Sequence, residues 1–455
     1  MIAPARTAAF AALRAIEDGR VDLPTALAQS RERLADERDR ALAADIVAGT
    51  LRWRAALDYL IAHVAGRSID RLDPEVVNIL RLSLYQILHL TRVPASAVVD
   101  DAVDLVRSAR KPSATGFVNA VLRTTLRQRP HLPLPPRPLD PADRAATLAY
   151  LSVTHSHPEW LVARWLDRYG FESTERWVQF NNATPTLTLR ANRLRSTREE
   201  LTTRLSGDGI ETTSTPWAPD GLIVTEGNPL RAPRHGTFFV QDEASQLITL
   251  TVGAVPGERV LDVCASPGGK TTALAVAMQD TGVLVACDVR PRRMRLLRDT
   301  VGESGATCVR LVQIPRSGEL PFAGLFDRVL VDAPCSGLGT VRRDPDIRWR
   351  RRPDDLPGLA ASQLELLQRA AGAVSPGGRL VYSTCSSEPE ENENVVAAFL
   401  IDRPDFALAP AIDGPTPVLA SLLDAQGFFR TLPFEHGLEA FFAAAMVRKS
   451  EIQPG

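Results

Sequence analysis

Apolar residues recur at helical spacing through roughly the first 128 positions. Val98, Ala102, Leu105 and Val106 fall at i, i+4, i+7 and i+8, one stripe of an amphipathic helix, and similar faces run through 7–16, 40–64 and 74–90. Pro and Gly are rare inside these stretches, so the N-terminal region reads as all helix. Residues 130–141, PHLPLPPRPLDP, are too proline-dense for a helix or an interior strand and predict a semi-rigid linker. Helical patterns over 142–152, 158–168 and 173–180 then precede a strand-like run, Thr186–Arg190, a helix at about 197–207 and a strand at Leu222–Val224. This is the pattern of a small α+β module. From about 236 onward strands and helices alternate. Strands are expected at Val260–Val263, Val283–Ala286, Arg328–Val331 and Arg379–Tyr382, with helices after the first two and another, about 361–373, before the fourth. Such alternation predicts a mostly parallel sheet with helices on both faces. The expected organisation is multidomain: an all-α domain (1–130), a Pro-rich linker (131–145), a small α+β domain (146–235) and a C-terminal α/β Rossmann-like domain (236–450). No internal repeat is visible.

The length of 455 residues supports this division, since two or three cores are the prior for such a chain. No apolar stretch approaches the roughly 20 residues that span a bilayer. The start, Met1-Ile-Ala-Pro-Ala-Arg6, lacks the apolar core and cleavage site of a secretory signal. A cytoplasmic location is the expectation, with no membrane partner. The net charge of −1 rules out a global basic field. Local charge is another matter: residues 342–352 read RRDPDIRWRRR. Arg342, Arg343, Arg348, Trp349 and Arg350 are candidate RNA contacts, the arginines for phosphates and the indole for a base or the arginine stems. The alternative is a solvated loop.

The five cysteines, Cys264, Cys287, Cys308, Cys335 and Cys385, form no C-x-x-C pair and have no histidine at zinc-ligand spacing, so no metal is expected. An odd count also argues against a disulfide scaffold. Cys264, Cys287 and Cys308 sit in or beside apolar runs and suit the role of small buried hydrophobes.

The unusual residues fall at the carboxyl ends of the predicted strands, where a doubly wound sheet binds its ligands. The first strand runs into Cys264, Ala265, Ser266, Pro267, Gly268, Gly269 and Lys270, and Thr271 starts a helix. This tight turn offers backbone N–H groups and a helix N-terminus to a ligand carboxylate or ribose. It lacks both the Walker spacing and the dinucleotide spacing. The second strand ends at Asp288, which can accept both hydroxyls of a ribose or cap the basic helix 290–298. Asp332, Pro334 and Cys335 follow the next strand in DRVLVDAPCSGLG, and Cys385 lies just past the strand in RLVYSTCSS. Two thiols from different strands therefore point into one crevice. Methylation at cytosine C5 needs such a site. A thiolate adding to C6 makes C5 enamine-like, and C5 can then take an electrophilic methyl. A second group assists as the C5 proton leaves and the thiolate is expelled. The Asp332 carboxyl group and the Pro334 carbonyl can hold the Watson–Crick edge of the base. Spacing alone does not choose between the two thiols.

The strings DVCASPGGKT (262–271), DAPCSGLG (332–339), YSTCS (382–386) and PEENE (389–393) resemble the RNA cytosine-C5 methyltransferases, and within them the bacterial 16S rRNA enzymes of the RsmB (Sun/Fmu) type. FVNAVLR (117–123) and the helices before it resemble the RNA-binding factor NusB, and RANRLR (190–195), FVQDEAS (239–245) and HGLEAFFAAAMVRK (436–449) match other stretches of these enzymes. The resemblance implies a NusB-like N-terminal domain, an RNA-binding α+β domain, S-adenosylmethionine as cofactor and 16S rRNA as partner. By position it implies that Cys264 to Lys270 wrap the methionine part of the cofactor, Asp288 holds the ribose, and Asp332 lies beside cofactor and base. It implies Cys385 as the nucleophile and Cys335 as the residue that helps release product. Two positions depart from the pattern. Gln313 stands where an aspartate near the adenine is usual, and Glu439-Ala440 replace the usual Asp-Gly. Methylation of tRNA or another RNA is the alternative within this chemistry. A non-catalytic RNA-binding or assembly factor is the alternative from another class, but such a factor needs neither thiol nor the full glycine turn. The domain plan is compatible with a monomer.

Overall fold

In the computed structural model the described residues are 2–231, 236–409 and 417–450. They form two packing units, Met1–Thr184 with Val341–Arg351, and Pro185–Thr340 with Arg352–Gly455. The expected boundary at 235/236 falls beside 232–235, which lie outside the described residues. No helix is long and apolar enough to cross a membrane among the described residues.

The first unit is helical: α1 (Pro4–Glu17), α2 (Leu23–Arg33), α3 (Glu37–Arg52), α4 (Arg54–Ala65), α5 (Pro74–His89), α6 (Ala95–Ser108), α7 (Thr115–Gln128), α8 (Arg144–Ala149) and α9 (Glu159–Asn182). Asp22, Asp36 and Asp73 cap α2, α3 and α5 through backbone N–H groups of the first turn. Helix α5 is buried on every side from Val76 to Ile87 and forms the centre, with α1, α3, α4, α6 and α7 around it. The one charge in that stretch, Arg81, meets Asp58 at 2.6 and 2.8 Å and Glu17 at 3.0 Å. The continuous apolar pattern of 40–64 is divided at Trp53, whose ring stacks on His89 at 4.6 Å. Helix α9 is broken at Gly170 (φ 76°), between the two helical patterns expected there.

The division by packing differs from the sequence expectation in two places. The proline-rich segment is fastened to the helices that follow it rather than spacing two domains apart. Arg137 pairs with Glu175 at 2.9 Å and lies 4.8 Å over Phe171, and Thr154 Oγ1 donates to the Pro135 carbonyl at 2.6 Å. Residues 142–184 likewise pack with the N-terminal helices and not with the small sheet.

The arginine cluster also belongs to this unit. Arg348 is fully buried, and its guanidinium donates to Ser156 O (2.9 Å), Asn182 Oδ1 (3.0 Å) and Asn181 O (3.3 Å). Trp349 Nε1 donates to Leu51 O at 2.6 Å, Arg342 lies 4.4 Å over Phe180, and Arg343 is half-buried. Arg350 is exposed, but its Nε is 2.5 Å from Asp346. For Arg348 and Trp349 the expected RNA contact is corrected: both hold the ends of helices, and a guanidinium sealed among carbonyls reaches no phosphate, whereas Arg342, Arg343 and Arg350 keep accessible surface. Arg348→Met is expected to destabilise this unit by about 3 kcal/mol, because two buried carbonyls and the half-buried Asn182 amide lose their donor. Hydrogen exchange should show reduced protection over 153–183 with the sheets of the second unit unchanged. Unaltered protection there would contradict this role.

The second unit holds two sheets. The smaller is antiparallel, ordered β2-β3-β1-β4, from β1 (Thr188–Ala191), β2 (Glu211–Ser214), β3 (Gly221–Glu226) and β4 (Phe238–Val240). Helix α10 (Arg198–Gly207) opens with a Thr197/Glu200 capping box and packs Leu201 and Leu205 on Leu189, Leu222 and Phe238. The larger sheet contains β5 (Arg259–Asp262), β6 (Val283–Asp288), β7 (Val309–Gln313), β8 (Phe326–Asp332), β9 (Val374–Thr384), β10 (Phe406–Leu408), β11 (Phe429–Thr431) and β12 (Phe441–Arg448). Its order is β10-β12-β9-β8-β5-β6-β7, with β11 against β12. The strands β5 to β9 are parallel, and β10, β11 and β12 are antiparallel.

Alternate residues of each central strand enter opposite cores, as the pleat requires. Val260, Leu284 and Leu330 face α11 (Glu243–Val252) and α12 (Gly269–Ala277). Leu261, Val285, Val329 and Val331 face the other layer, where α14 (Asp355–Ala371) contributes Leu367 and α15 (Glu393–Asp402) contributes Val395 and Phe399. Helix α13 (Pro291–Ser304) follows β6. The strand order reverses between β5 and β8, which opens a crevice at their carboxyl ends.

Candidate functional site

The crevice gathers the tips of β5, β6, β8 and β9, and the chain reaches each tip through a different turn. After β5 the backbone is pinned on both sides, Val263 N to Leu330 O at 3.0 Å and Ala265 N to Cys287 O at 2.8 Å. It then turns through a cis Ser266–Pro267 bond into Gly268, which has φ +111° and caps α12. A Cβ on Gly268 would stand 3.0 Å from Thr300 and 3.1 Å from Leu297, so both its conformation and its neighbours call for glycine. Ser266 Oγ donates to Arg293 O at 3.0 Å. The half-buried Cys264 packs against the core, and burial followed by the carboxylates of Asp262, Asp332 and Asp288 pushes its thiol up.

Asp262 was not among the expected site residues. It ends β5 fully buried; Oδ2 accepts from Thr271 Oγ1 at 2.7 Å, and Oδ1 has no partner. Burial, with Asp332 beyond it, raises its pKa to about 7 against the help of Thr271 and Lys270. The sign follows directly. The unfolded carboxyl ionises near its ordinary value and the folded one only near 7, so stability is greatest in acid and falls as pH rises between them. Asp262→Asn is expected to flatten denaturation midpoints across pH 4 to 7 by about 2–4 kcal/mol. An unchanged slope would contradict the raised value.

At the next tip Asp288 is nearly buried, with Oδ1 accepting from Arg290 N at 3.0 Å and Oδ2 lying 3.8 Å from Arg293. The N-cap alternative is therefore partly realised: one oxygen serves the start of α13 and the other stays on the crevice side of an ion pair. Gln313 is exposed and stands beside Asp288 in the β6–β7 register.

The β8 and β9 tips carry the thiols. Cys335 Sγ and Cys385 Sγ are 3.2 Å apart, both partly accessible. The backbones beneath them touch: Ala333 N donates to Ser383 O at 2.8 Å, and Gly339 N to Cys385 O at 2.9 Å. A Cβ on Gly339 would lie 1.9 Å from Ala440 O and 2.8 Å from Cys385 O, so the second glycine of DAPCSGLG is what lets the loops meet. The hydrogen bond to Cys385, and then burial, raise the Cys335 thiol well above its ordinary range. In that pair either sulfur can be the S–H donor.

Beside the sulfurs, Asp332 Oδ2 accepts from Lys270 Nζ at 2.7 Å and Oδ1 from Ser383 Oγ at 3.0 Å. Burial opposes the Lys270 charge, but Asp332 and the Cys385 sulfur outweigh it, and the ammonium is held more tightly than in water. The Pro334 carbonyl accepts from Gln363 Nε2 at 3.0 Å, which leaves one lone pair for a base rather than two. Thus Cys264 to Lys270, Asp288, Asp332, Cys335 and Cys385 stand at or just past the carboxyl ends of neighbouring strands of one unit, whereas the arginine cluster packs in the other unit. Asp262 and Ser383 escaped notice because a buried partner of a charged group has no local sequence signature. Among the described residues no group of three or more His, Cys, Asp or Glu side chains is arranged to hold a metal ion.

With this geometry established, the chain matches three family profiles in order: the NusB family over 3–127, the RsmF/B-like ferredoxin-like domain over 157–231, and the 16S rRNA methyltransferase RsmB/F family over 249–447. It is 34% identical to the ribosomal RNA small subunit methyltransferase B of Pseudomonas putida, covering 97% of this chain and 98% of that one. The protein of the same name from Klebsiella pneumoniae is 34% identical, covering 93% and 96% respectively. The crystal structure of PH0851 superposes with a TM-score of 0.77 at 28% identity, over 98% of this chain and 99% of that chain.

Proposed function

The chain belongs to the ribosomal RNA small subunit methyltransferase B family, and from that premise we propose that it methylates C5 of a cytosine in 16S rRNA, with Cys385 as nucleophile and S-adenosylmethionine as methyl donor. The observation that carries this reading is the 3.2 Å approach of the two sulfurs from neighbouring strand tips, beside the Lys270–Asp332 pair. A buried structural cysteine has no need of a second thiol at a ligand-binding edge.

The cofactor supplies an electrophilic methyl group on a sulfonium. The residues present suit it: around the buried Gly268 the turn keeps Ser266, Pro267, Gly269 and Lys270 at least partly accessible, and Asp262 Oδ1 is a buried acceptor without a partner. The loop Cys264–Lys270 would hold the methionine part, Asp288 the ribose hydroxyls, Gln313 the adenine through its amide, and Asp332 would stand between cofactor and base.

The chain's own groups then act in sequence. Cys385, with Cys335 Sγ 3.2 Å away, adds its sulfur electron pair as thiolate to C6, and the C5=C6 pair becomes available at C5. Asp332 keeps one lone pair on each oxygen beyond those engaged by Lys270 and Ser383, enough to accept from the cytosine amino group. Once C5 carries the methyl group, its proton must leave. Cys335 takes it: once its own proton has gone to solvent, its raised thiol pKa makes it the stronger base. The C5–H electron pair closes C5=C6, the S–C6 bond breaks, and Cys385 recovers its thiolate.

The test is nucleotide-resolution mapping of 5-methylcytosine in total RNA from cells with and without this protein. One 16S rRNA position should lose the modification and regain it on return of the wild-type chain but not of Cys385→Ala. Loss confined to tRNA, or no loss anywhere, would overturn the reading.

A further inference from the structure

We propose that Glu391 is a positioning residue for the two-thiol chemistry, a single buried carboxylate that locks the loops of Cys335 and Cys385 to each other; this rests on the reaction proposed above. Glu391 is wholly buried, and each of its oxygens takes the residue that follows one of the cysteines. Oε1 accepts from Ser336 N at 2.7 Å, and Oε2 accepts from Ser386 Oγ at 2.5 Å. The two serine hydroxyls lie 3.2 Å apart, one step along each chain from sulfurs at the same separation. One carboxylate thus sets the spacing of both loops.

The clamp is itself braced. Gln363 Nε2 reaches from α14 to Glu391 Oε1 at 2.9 Å and to Pro334 O at 3.0 Å, while Tyr382 OH contacts Gln363 Oε1 at 3.1 Å and the Glu391 carbonyl at 2.5 Å. Asn392 continues it, accepting from Thr384 Oγ1 at 2.5 Å and donating to Ser386 O at 3.0 Å. A structural role alone would be met by any pairing of these loops. The distinguishing feature is that the charge sits within reach of the chemistry. The Cys335 thiol is acted on by Cys385, to which it is hydrogen-bonded, by burial and by the Glu391 carboxylate, against the Gly337 backbone N–H, with the Tyr382 phenol packed beside them. Glu391 therefore also disfavours the Cys335 thiolate, beside the Ser336 N–H that it holds in place.

The full-length chain carrying Glu391→Gln or Glu391→Ala tests this with three measurements. These are S-adenosylhomocysteine affinity by calorimetry, turnover together with the fraction of protein in a denaturant-stable RNA adduct, and the pH profile of Cys335 alkylation by iodoacetamide in a Cys385→Ala background. Glu391→Gln removes the charge but keeps hydrogen-bonding capacity. It should leave S-adenosylhomocysteine affinity within about twofold, lower kcat about 10-fold and move Cys335 alkylation to lower pH. Glu391→Ala should lower kcat about 100-fold and raise the adduct fraction, since a displacement near 1 Å spoils the step that needs both thiols. Wild-type turnover with an unmoved alkylation profile would overturn the proposal. Parallel loss of S-adenosylhomocysteine binding and turnover, again with an unmoved profile, would overturn it in favour of a merely structural role. If Cys385→Ala retains methyl transfer, the reaction proposed above fails, whereas a moved alkylation profile would still uphold the action of Glu391 on Cys335.

Discussion

Replacing Cys385 with alanine is expected to abolish methyl transfer, a loss of at least about 10⁴-fold, while S-adenosylhomocysteine binds within about twofold of wild type. The size of the effect follows from chemistry. Without addition at C6, C5 of a neutral cytosine is too weak a nucleophile for positioning to rescue. The selectivity follows from geometry. Cys385 lies past the end of β9, whereas the elements offered to the cofactor are the turn after β5 and the carboxylates ending β5 and β6. Deleting one sulfur at the β9 tip leaves the Asp262–Thr271 bond and the Gly268 turn untouched. Equal losses in binding and transfer would show that the thiol serves the cofactor site instead.

Cys335→Ala is expected to behave in the opposite sense, leaving addition intact and blocking release. Cys335 Sγ sits 3.2 Å from the attacking atom. That is close enough to serve the carbon adjoining the one attacked. Without it, the C5 proton has no base on that side of the ring, and the S–C6 bond persists. A denaturing gel should show a slow-migrating protein–RNA species in this variant, accounting for most of the protein after a single turnover. Cys385→Ala and the double variant should show none. Adduct formation by Cys385→Ala but not by Cys335→Ala would exchange the two roles.

Much of this site could be read from the chain because its parts lie at strand ends, and the strands themselves are conspicuous. Val260–Val263, Val283–Ala286, Arg328–Val331 and Arg379–Tyr382 are apolar runs, and each is covered on both faces in the fold. Strands without that signature escaped. β2, Glu211–Ser214, is polar and largely exposed. β12, Phe441–Arg448, is rich in alanine, whose weak strand preference hides its place between β9 and β10. The arginine-rich segment misled for a different reason. A string of charges says nothing about whether a guanidinium meets water or carbonyls, and Arg348 finds its acceptors at residues 156, 181 and 182, far away in sequence. Glu391 was visible within PEENE, but its purpose was not. Its two serine partners come from loops 55 and 5 residues away, and the pairing of β8 with β9 brings them together.

Mass spectrometry of the species trapped by Cys335→Ala bears most directly on which sulfur attacks the base. After nuclease and protease digestion, a nucleotide mass should be found on the peptide containing Cys385, attached at that residue. A nucleotide carried by any other residue, or normal production of 5-methylcytosine with no modified peptide at all, would contradict the mechanism.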